Sequence, residues 1–171
     1  MLDGCFPMHE NLRTSRNGIL LLKKHEGLRL KAYQDSRGVW TIGYGLTSAA
    51  GIIKVYRGLT ITAQQAEDYL QQALVQYENC VKDTIKVPLE QHQFDALVSF
   101  CYNVGPRAFE GSSIAQYVNQ KRFKDVPKRM ALWVRAGKTK PKGLPKRRKD
   151  EGDVFLGRKD FASAERQPDG A

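Results

Sequence analysis

The chain lacks the features that mark a membrane protein or a disulfide scaffold. Its apolar run Gly18-Ile19-Leu20-Leu21-Leu22 stops at Lys23-Lys24, far short of the roughly 20 residues a bilayer-spanning helix needs. No transmembrane helix is expected. The first ten residues hold Asp3 and Glu10 and no basic cluster, so they are not expected to act as a secretory leader. Cysteine is scarce: Cys5, Cys80 and Cys101 are odd in number and unevenly spaced, with no Cys-x-x-Cys or His companion. That pattern predicts neither a metal site nor a disulfide framework. Cys80 and Cys101 fall in helix-like segments and read as buried thiols; their spacing neither requires nor forbids a disulfide between them.

Acidic residues are nearly missing from one stretch. Between Lys121 and Lys149, about a dozen Lys and Arg face the single acid Asp125, which accounts for most of a formal net charge of +10. Such a stretch attracts polyanions, whether nucleic acid, anionic lipid or an acidic wall polymer, so charge selects a class of partner and not a function. No recognised nucleic-acid motif accompanies it, and nucleic acid is not expected as a partner.

What is present suits one soluble globular unit: 171 residues, of which 41% are hydrophobic, enough for one core or one domain in two lobes. Residues 1 to 12 lack periodicity and read as a loose N-terminal arm, 13 to 157 as the folded domain, and 158 to 171 as a tail that frays at Gln167-Pro168-Asp169-Gly170-Ala171. Helical spacing covers Ser15 to Glu26, with Gly27 as the stop. From Lys31 to Leu59, aromatic and β-branched residues broken by glycines predict a small sheet whose tight turn is Asp35-Ser36-Arg37-Gly38. Thr62 and Gln65 form a capping box opening a long helix through Ala66, Leu70, Leu74, Tyr77 and Val81. Further helices are expected at Leu89 to Asn103, Ser112 to Gln120, Lys124 to Ala136 and Leu144 to Phe155, separated by Gly and Pro signals. The fold class is therefore α+β, a mostly helical lobe with a small sheet-bearing lobe.

Two carboxylates stand out by their surroundings. Glu26 lies in the last turn of a helix, where unpaired carbonyls disfavour the anion and should help it hold a proton. Asp35 lies in a polar turn whose amides stabilise the anion. An acid and a base in opposed environments are what glycoside hydrolysis places across a scissile bond. Thr41, on the strand leaving the turn, is a hydroxyl able to orient water. Taken singly, a helix-end Glu or a turn Asp is usually a solvated surface group. Trp40 and Trp133 read as packing residues, His25 as an ordinary helix-end histidine, and Arg147 and Arg148 as part of a solvated basic helix.

The block from Glu26 to Gly45, which includes Glu26-Gly27-Leu28-Arg29 and Gly38-Val39-Trp40-Thr41-Ile42-Gly43-Tyr44-Gly45, resembles the phage-type lysozymes, or endolysins. In that family a Glu is followed by an Asp after eight intervening residues and a Thr after five more, which match Glu26, Asp35 and Thr41 here. Ala96 to Gly105 resembles the family's central helix and turn. Trp133-Val134 with Ala136-Gly137, and Gly143 to Arg148 with Glu151, resemble its closing stretch, so the likeness spans roughly residues 15 to 157. The resemblance implies a two-lobed lysozyme-like fold with a cleft between the lobes. It also implies hydrolysis of peptidoglycan between N-acetylmuramic acid and N-acetylglucosamine without metal or cofactor, with inversion at the anomeric carbon. Glu26 would be the acid, with Asp35 and Thr41 positioning the water and Tyr33, Tyr44, Asn103 and Arg148 as substrate contacts. One of Arg147 and Arg148 would lie near Glu26. Leu46 departs from the pattern, since many members carry His there, and the connection from Ala49 to Gly58 is longer than usual.

Further expectations are a monomer held in the host cytoplasm until a pore-forming membrane protein gives access to the wall, with anionic outer-membrane lipid as a partner of the Lys121 to Lys149 stretch. Two alternatives stay open. A lytic transglycosylase would use Glu26 alone and leave an anhydro product, and a non-enzymatic cationic binder would use only the basic stretch.

Overall fold

The computed structural model describes residues 9 to 166. The ends of the expected arm and tail, 1 to 8 and 167 to 171, lie outside the described residues. Helix α1 runs Arg16–Glu26, capped by the Ser15 side chain, which accepts from the Gly18 amide, and stopped by Gly27, whose N–H bonds Lys23 O. Its Leu21 and Leu22 are fully buried. The start of α1 is pinned from below. Buried Asp95 accepts the Ser15 amide and the Gln91 side chain, each at 2.9 Å, and the Ser15 hydroxyl. One residue earlier, Glu78 Oε2 accepts both the amide and the hydroxyl of Thr14 at 2.6 Å. A Cβ at Gly18 would lie 2.8 Å from the Asp95 carboxyl, so the smallest residue is what lets α1 close on this pin. Asp95→Ala removes the shared acceptor of the half-buried Ser15 amide and hydroxyl and is expected to cost about 1–3 kcal/mol. The check is a thermal melt, and an unchanged midpoint would refute the pin.

Strands β1 (Arg29–Gln34), β2 (Trp40–Gly43) and β3 (Leu46–Thr47) form one antiparallel sheet in that order, with Tyr33 opposite Thr41 and Thr41 opposite Thr47. The β1–β2 turn closes through Asp35 N to Val39 O and Gly38 N to Asp35 O, both 2.9 Å. A small core of Ala32, Ile42, Val55, Ile61 and Ala66 backs the sheet. Helix α2, Ala63–Thr84, opens with both bonds of the Thr62–Gln65 capping box. Its Ala66 belongs to the small core, while Leu70, Leu74, Cys80 and Val81 belong to the larger helical one. Helix α3, Gln91–Val104, is buried continuously from Gln93 to Cys101, so it forms the axis of that larger core.

The remaining elements are α4 (Pro106–Glu110), α5 (Ser113–Asn119), α6 (Val126–Met130) and α7 (Leu144–Phe155). Two expectations need correction. The Gly105-Pro106 break hides α4, because Pro is tolerated in a helix's first turn, where its missing N–H costs nothing. The helix expected over Lys124 to Ala136 is a 3₁₀ turn, Phe123–Asp125, followed by the short α6. It ends early because Trp133 packs edge-on against Phe100 with centroids 5.4 Å apart, and its carbonyl turns to accept Arg148 Nε at 2.8 Å. The chain then forms a tight Ala136–Thr139 bridge. Near the ends, His9 is buried, and the 3₁₀ turn Phe161–Arg166 docks on α1 through Asn17, which accepts the Phe161 amide and donates to Lys159 O. Cys80 and Cys101 are buried free thiols, both pushed up by burial.

Candidate active site

A cleft of about 750 Å³ separates the sheet-bearing lobe from the helical one, walled by the end of α1, the β1–β2 turn, the end of α3, the start of α7 and the loop from 133 to 143. Glu26, Asp35 and Thr41 all line it. Helix α1 brings Glu26 to its floor, where Arg147 Nη1 donates to Glu26 Oε2 at 2.8 Å. Oε1 lies on the other side, against Gly45. A Cβ there would collide with Oε1 and lie 2.9 Å from Cδ, and φ at Gly45 is +74°. Glycine is required twice over at this position, for the backbone conformation and for the space the carboxyl occupies.

Asp35 is fixed by its own turn. Its Oδ1 accepts the amides of Arg37 at 2.8 Å and Val39 at 2.9 Å, and among the described residues Oδ2 has no protein partner. Thr41 is 3% exposed and donates its hydroxyl proton to Val39 O at 2.9 Å. Its oxygen therefore keeps its acceptor capacity, on a residue that lines the cleft.

The reading of Arg147 and Arg148 as a solvated basic helix is overturned. They are 3% and 1% exposed, because α7 turns that face inward onto a fully buried Glu151. Arg147 Nε donates to Glu151 Oε2 at 3.1 Å and its Nη2 to Ser99 O, while Ser99 Oγ donates to the same Glu151 oxygen at 2.6 Å. Burial would push the Arg147 guanidinium down, but the charges of Glu26 and Glu151 outweigh it and hold the proton more firmly than usual. Arg148 donates to Glu151 Oε1, to Asn103 Oδ1 and to Trp133 O, beneath the Phe100 ring system at 4.8 Å. It lies under the cleft wall, not on it, so the expected substrate contact at Arg148 is corrected: its donors are consumed in holding the wall together.

Of the other expected contacts, Tyr33 and Asn103 line the cleft. Asn103 gives its amide oxygen to Arg148 and keeps its NH₂ group to offer. Tyr44 is turned away. Its ring lies under Lys23 at 5.3 Å, and only its carbonyl takes part, accepting the Tyr102 hydroxyl at 2.6 Å. Leu46 is buried in β3 and contributes an apolar side chain to the cleft wall. Sequence reasoning missed Tyr77 and Tyr102, which line the cleft with rings 4.9 Å apart. It also missed Glu151 as the anchor, although the i,i+3 and i,i+4 spacing to Arg148 and Arg147 was available as a signal. His25 joins Lys24 and Lys159 on buried Asp150, at 2.8, 3.0 and 2.9 Å. Burial alone would raise the Asp150 carboxyl, but those three donors hold it down at about 2. His25 itself is lowered by burial, against the pull of Asp150.

With this geometry in view, comparison with known proteins decides the family. The phage lysozyme family model matches residues 23–151. The chain belongs to the phage lysozyme family. Among its relatives, the endolysin of Salmonella phage P22 is 41% identical over 145 residues, covering 85% of this chain and 99% of the relative. Two solved structures share the phage lysozyme fold closely: the endolysin from Escherichia coli O157:H7 phage FAHEc1 (TM-score 0.77, 38% identity, 85% of this chain and 94% of that one) and the muramidase domain of SpmX from Asticaccaulis excentricus (TM-score 0.75, 37% identity, 85% and 98%). As a phage lysozyme the chain spans its relative almost from end to end, and the expected α+β architecture holds.

Proposed function

We propose that this chain is a bacteriolytic muramidase that hydrolyses the β-1,4 bond between N-acetylmuramic acid and N-acetylglucosamine in peptidoglycan. The observation that carries the reading is the placement of Glu26 and Asp35 on one cleft, one from each lobe, in a member of the phage lysozyme family. Arg147 occupies Glu26 Oε2, which leaves Oε1 to carry the proton to the glycosidic oxygen. On the opposite lobe, Asp35 Oδ2 and Thr41 Oγ1 are the acceptors that hold an attacking water, and the Asp35 carboxylate takes its proton as the water adds to the anomeric carbon. Attack from the face opposite the leaving group inverts the anomeric carbon. Tyr33 and Asn103 contact the sugars.

The enzyme acts as a monomer on the cell wall, reaching it from the host cytoplasm once a membrane protein has opened a pore. Among the described residues no helix is long and apolar enough to cross a membrane. With Arg147 and Arg148 buried and Arg129 half-buried against Tyr117, the outward cations of the basic stretch are the remaining Lys and Arg from Lys121 to Lys146 together with Lys149, which suit anionic outer-membrane lipid.

Digestion of purified peptidoglycan, read by mass spectrometry and by NMR of fresh product, tests the reading. Hydrated fragments with a new reducing end, appearing first as the α-anomer, are expected. Anhydro products would mean a lytic transglycosylase, β-anomer first would mean retention, and no release would leave a cationic binder.

A further inference from the structure

Around the cleft, charge is unevenly balanced. Its acids are Glu26 and Asp35, and its cations are Lys24, Arg37, Arg135, Lys146 and Arg147. Arg147 is paired with Glu26 and Lys24 with Asp150. Arg37, Arg135 and Lys146 are exposed, and among the described residues none of the three has an acidic partner. Only Asp35 remains to set against them, and its Oδ1 already faces two backbone amides.

These cations are gathered at one place. Arg135 opens the loop that carries the Ala136–Thr139 bridge, and Lys146 lies in the first turn of α7. From the other lobe, Arg37 reaches the same loop: its Cδ is 4.0 Å from the position a Cβ would take on Gly137. Arg37 and the loop that follows Arg135 thus face each other across the cleft, beside the turn that holds Asp35, and Lys146 lines the same cleft. A glycan of N-acetylated sugars offers them no charge. The carboxylates of peptidoglycan sit on the short peptides attached to muramic acid.

We propose that Arg135 and Lys146, with Arg37 opposite, form a carboxylate-binding rim that takes the acidic stem peptide of the substrate and sets a preference for walls whose stem carboxylates are free. The proposal rests on the muramidase reading of the same cleft. Guanidinium and ammonium groups bind carboxylates through charge-assisted hydrogen bonds.

The test compares native peptidoglycan with the same material after its carboxylates are converted to amides, a change that leaves the sugars and any phosphate untouched. KM is measured for cleavage, and cosedimentation of a Glu26→Gln protein reads binding without turnover. The wild-type protein is expected to have a KM about tenfold lower on the native wall, as one or two exposed charge-assisted contacts provide. In Arg135→Gln/Lys146→Gln that ratio should fall close to one, in KM and in binding alike. Lys54→Gln/Arg57→Gln removes the same charge from exposed positions outside the cleft and should keep the ratio. The rim is overturned if wild type treats both walls alike, if the cleft double variant keeps its preference, or if the outer variant loses it equally. Binding that prefers the native wall, with cleavage of neither, would instead fault the muramidase reading and leave the rim standing.

Discussion

Glu26→Gln is expected to reduce release of soluble muropeptides by about a thousandfold, within the range a positioned general acid contributes. The amide keeps the size of the carboxyl, so it fits the space beside Gly45 and still offers an oxygen to Arg147 Nη1. What it cannot do is hand over a proton from the position of Oε1. Arg147 keeps Glu151 as its second anion, so the variant should fold and bind wall, and its melting midpoint should stay close to that of wild type. Release assays on purified peptidoglycan beside a thermal melt make the check. Activity surviving in a folded Glu26→Gln protein would remove Glu26 from the chemistry.

The largest effect on stability is expected from Glu151→Gln. Glu151 is fully buried and is the anion on which both Arg147 and Arg148 converge. Removing its charge leaves Arg148 buried without an ionic partner, and breaking one side of a buried pair typically costs about 3–5 kcal/mol. For a chain of this size the midpoint should fall by roughly 10 °C. Replacing both partners with apolar residues, in Glu151→Leu/Arg148→Met, should destabilise less than the single change, because no unpaired charge remains and the removed volume is partly refilled. A double variant worse than the single one would show that shape, not charge, holds this region together.

The sheet turn and most helices were legible because their signals are local. The Thr62–Gln65 box, the Gly27 stop and the Asp35-to-Gly38 turn each act within a few residues, and the structure contains all three. The limits of α7 were legible for the same reason. The truncation at Met130 was not, since it depends on Phe100 and Arg148, which are distant in sequence from Trp133. Arg147 and Arg148 were misread because charge was taken to imply exposure. Here their neutralising partner lies one helical turn further on, and α7 could turn the whole group inward. The substrate contact at Arg148 came from the family resemblance, and it fails because the guanidinium is buried on Glu151, Asn103 and Trp133. The family spacing brought Glu26, Asp35 and Thr41 to one cleft, but it said nothing of Gly45 beside the Glu26 carboxyl, a contact that appears only when the end of α1 meets the bend between β2 and β3.

Helix α2 has a consequence for how the molecule opens. It is one unbroken helix, Ala63–Thr84, yet Ala66 is buried among the few side chains that back the sheet, and Leu70 through Val81 among the many that surround α3. A small core is the weaker of two that share an element, and local opening begins where few apolar contacts must be broken. The first turns of α2 should therefore exchange their amide hydrogens through an event that releases the sheet alone, while the later turns wait for unfolding of the whole chain. Any ligand that bridged the cleft and touched both lobes would draw the fast-exchanging end of the helix toward the protection of the slow one.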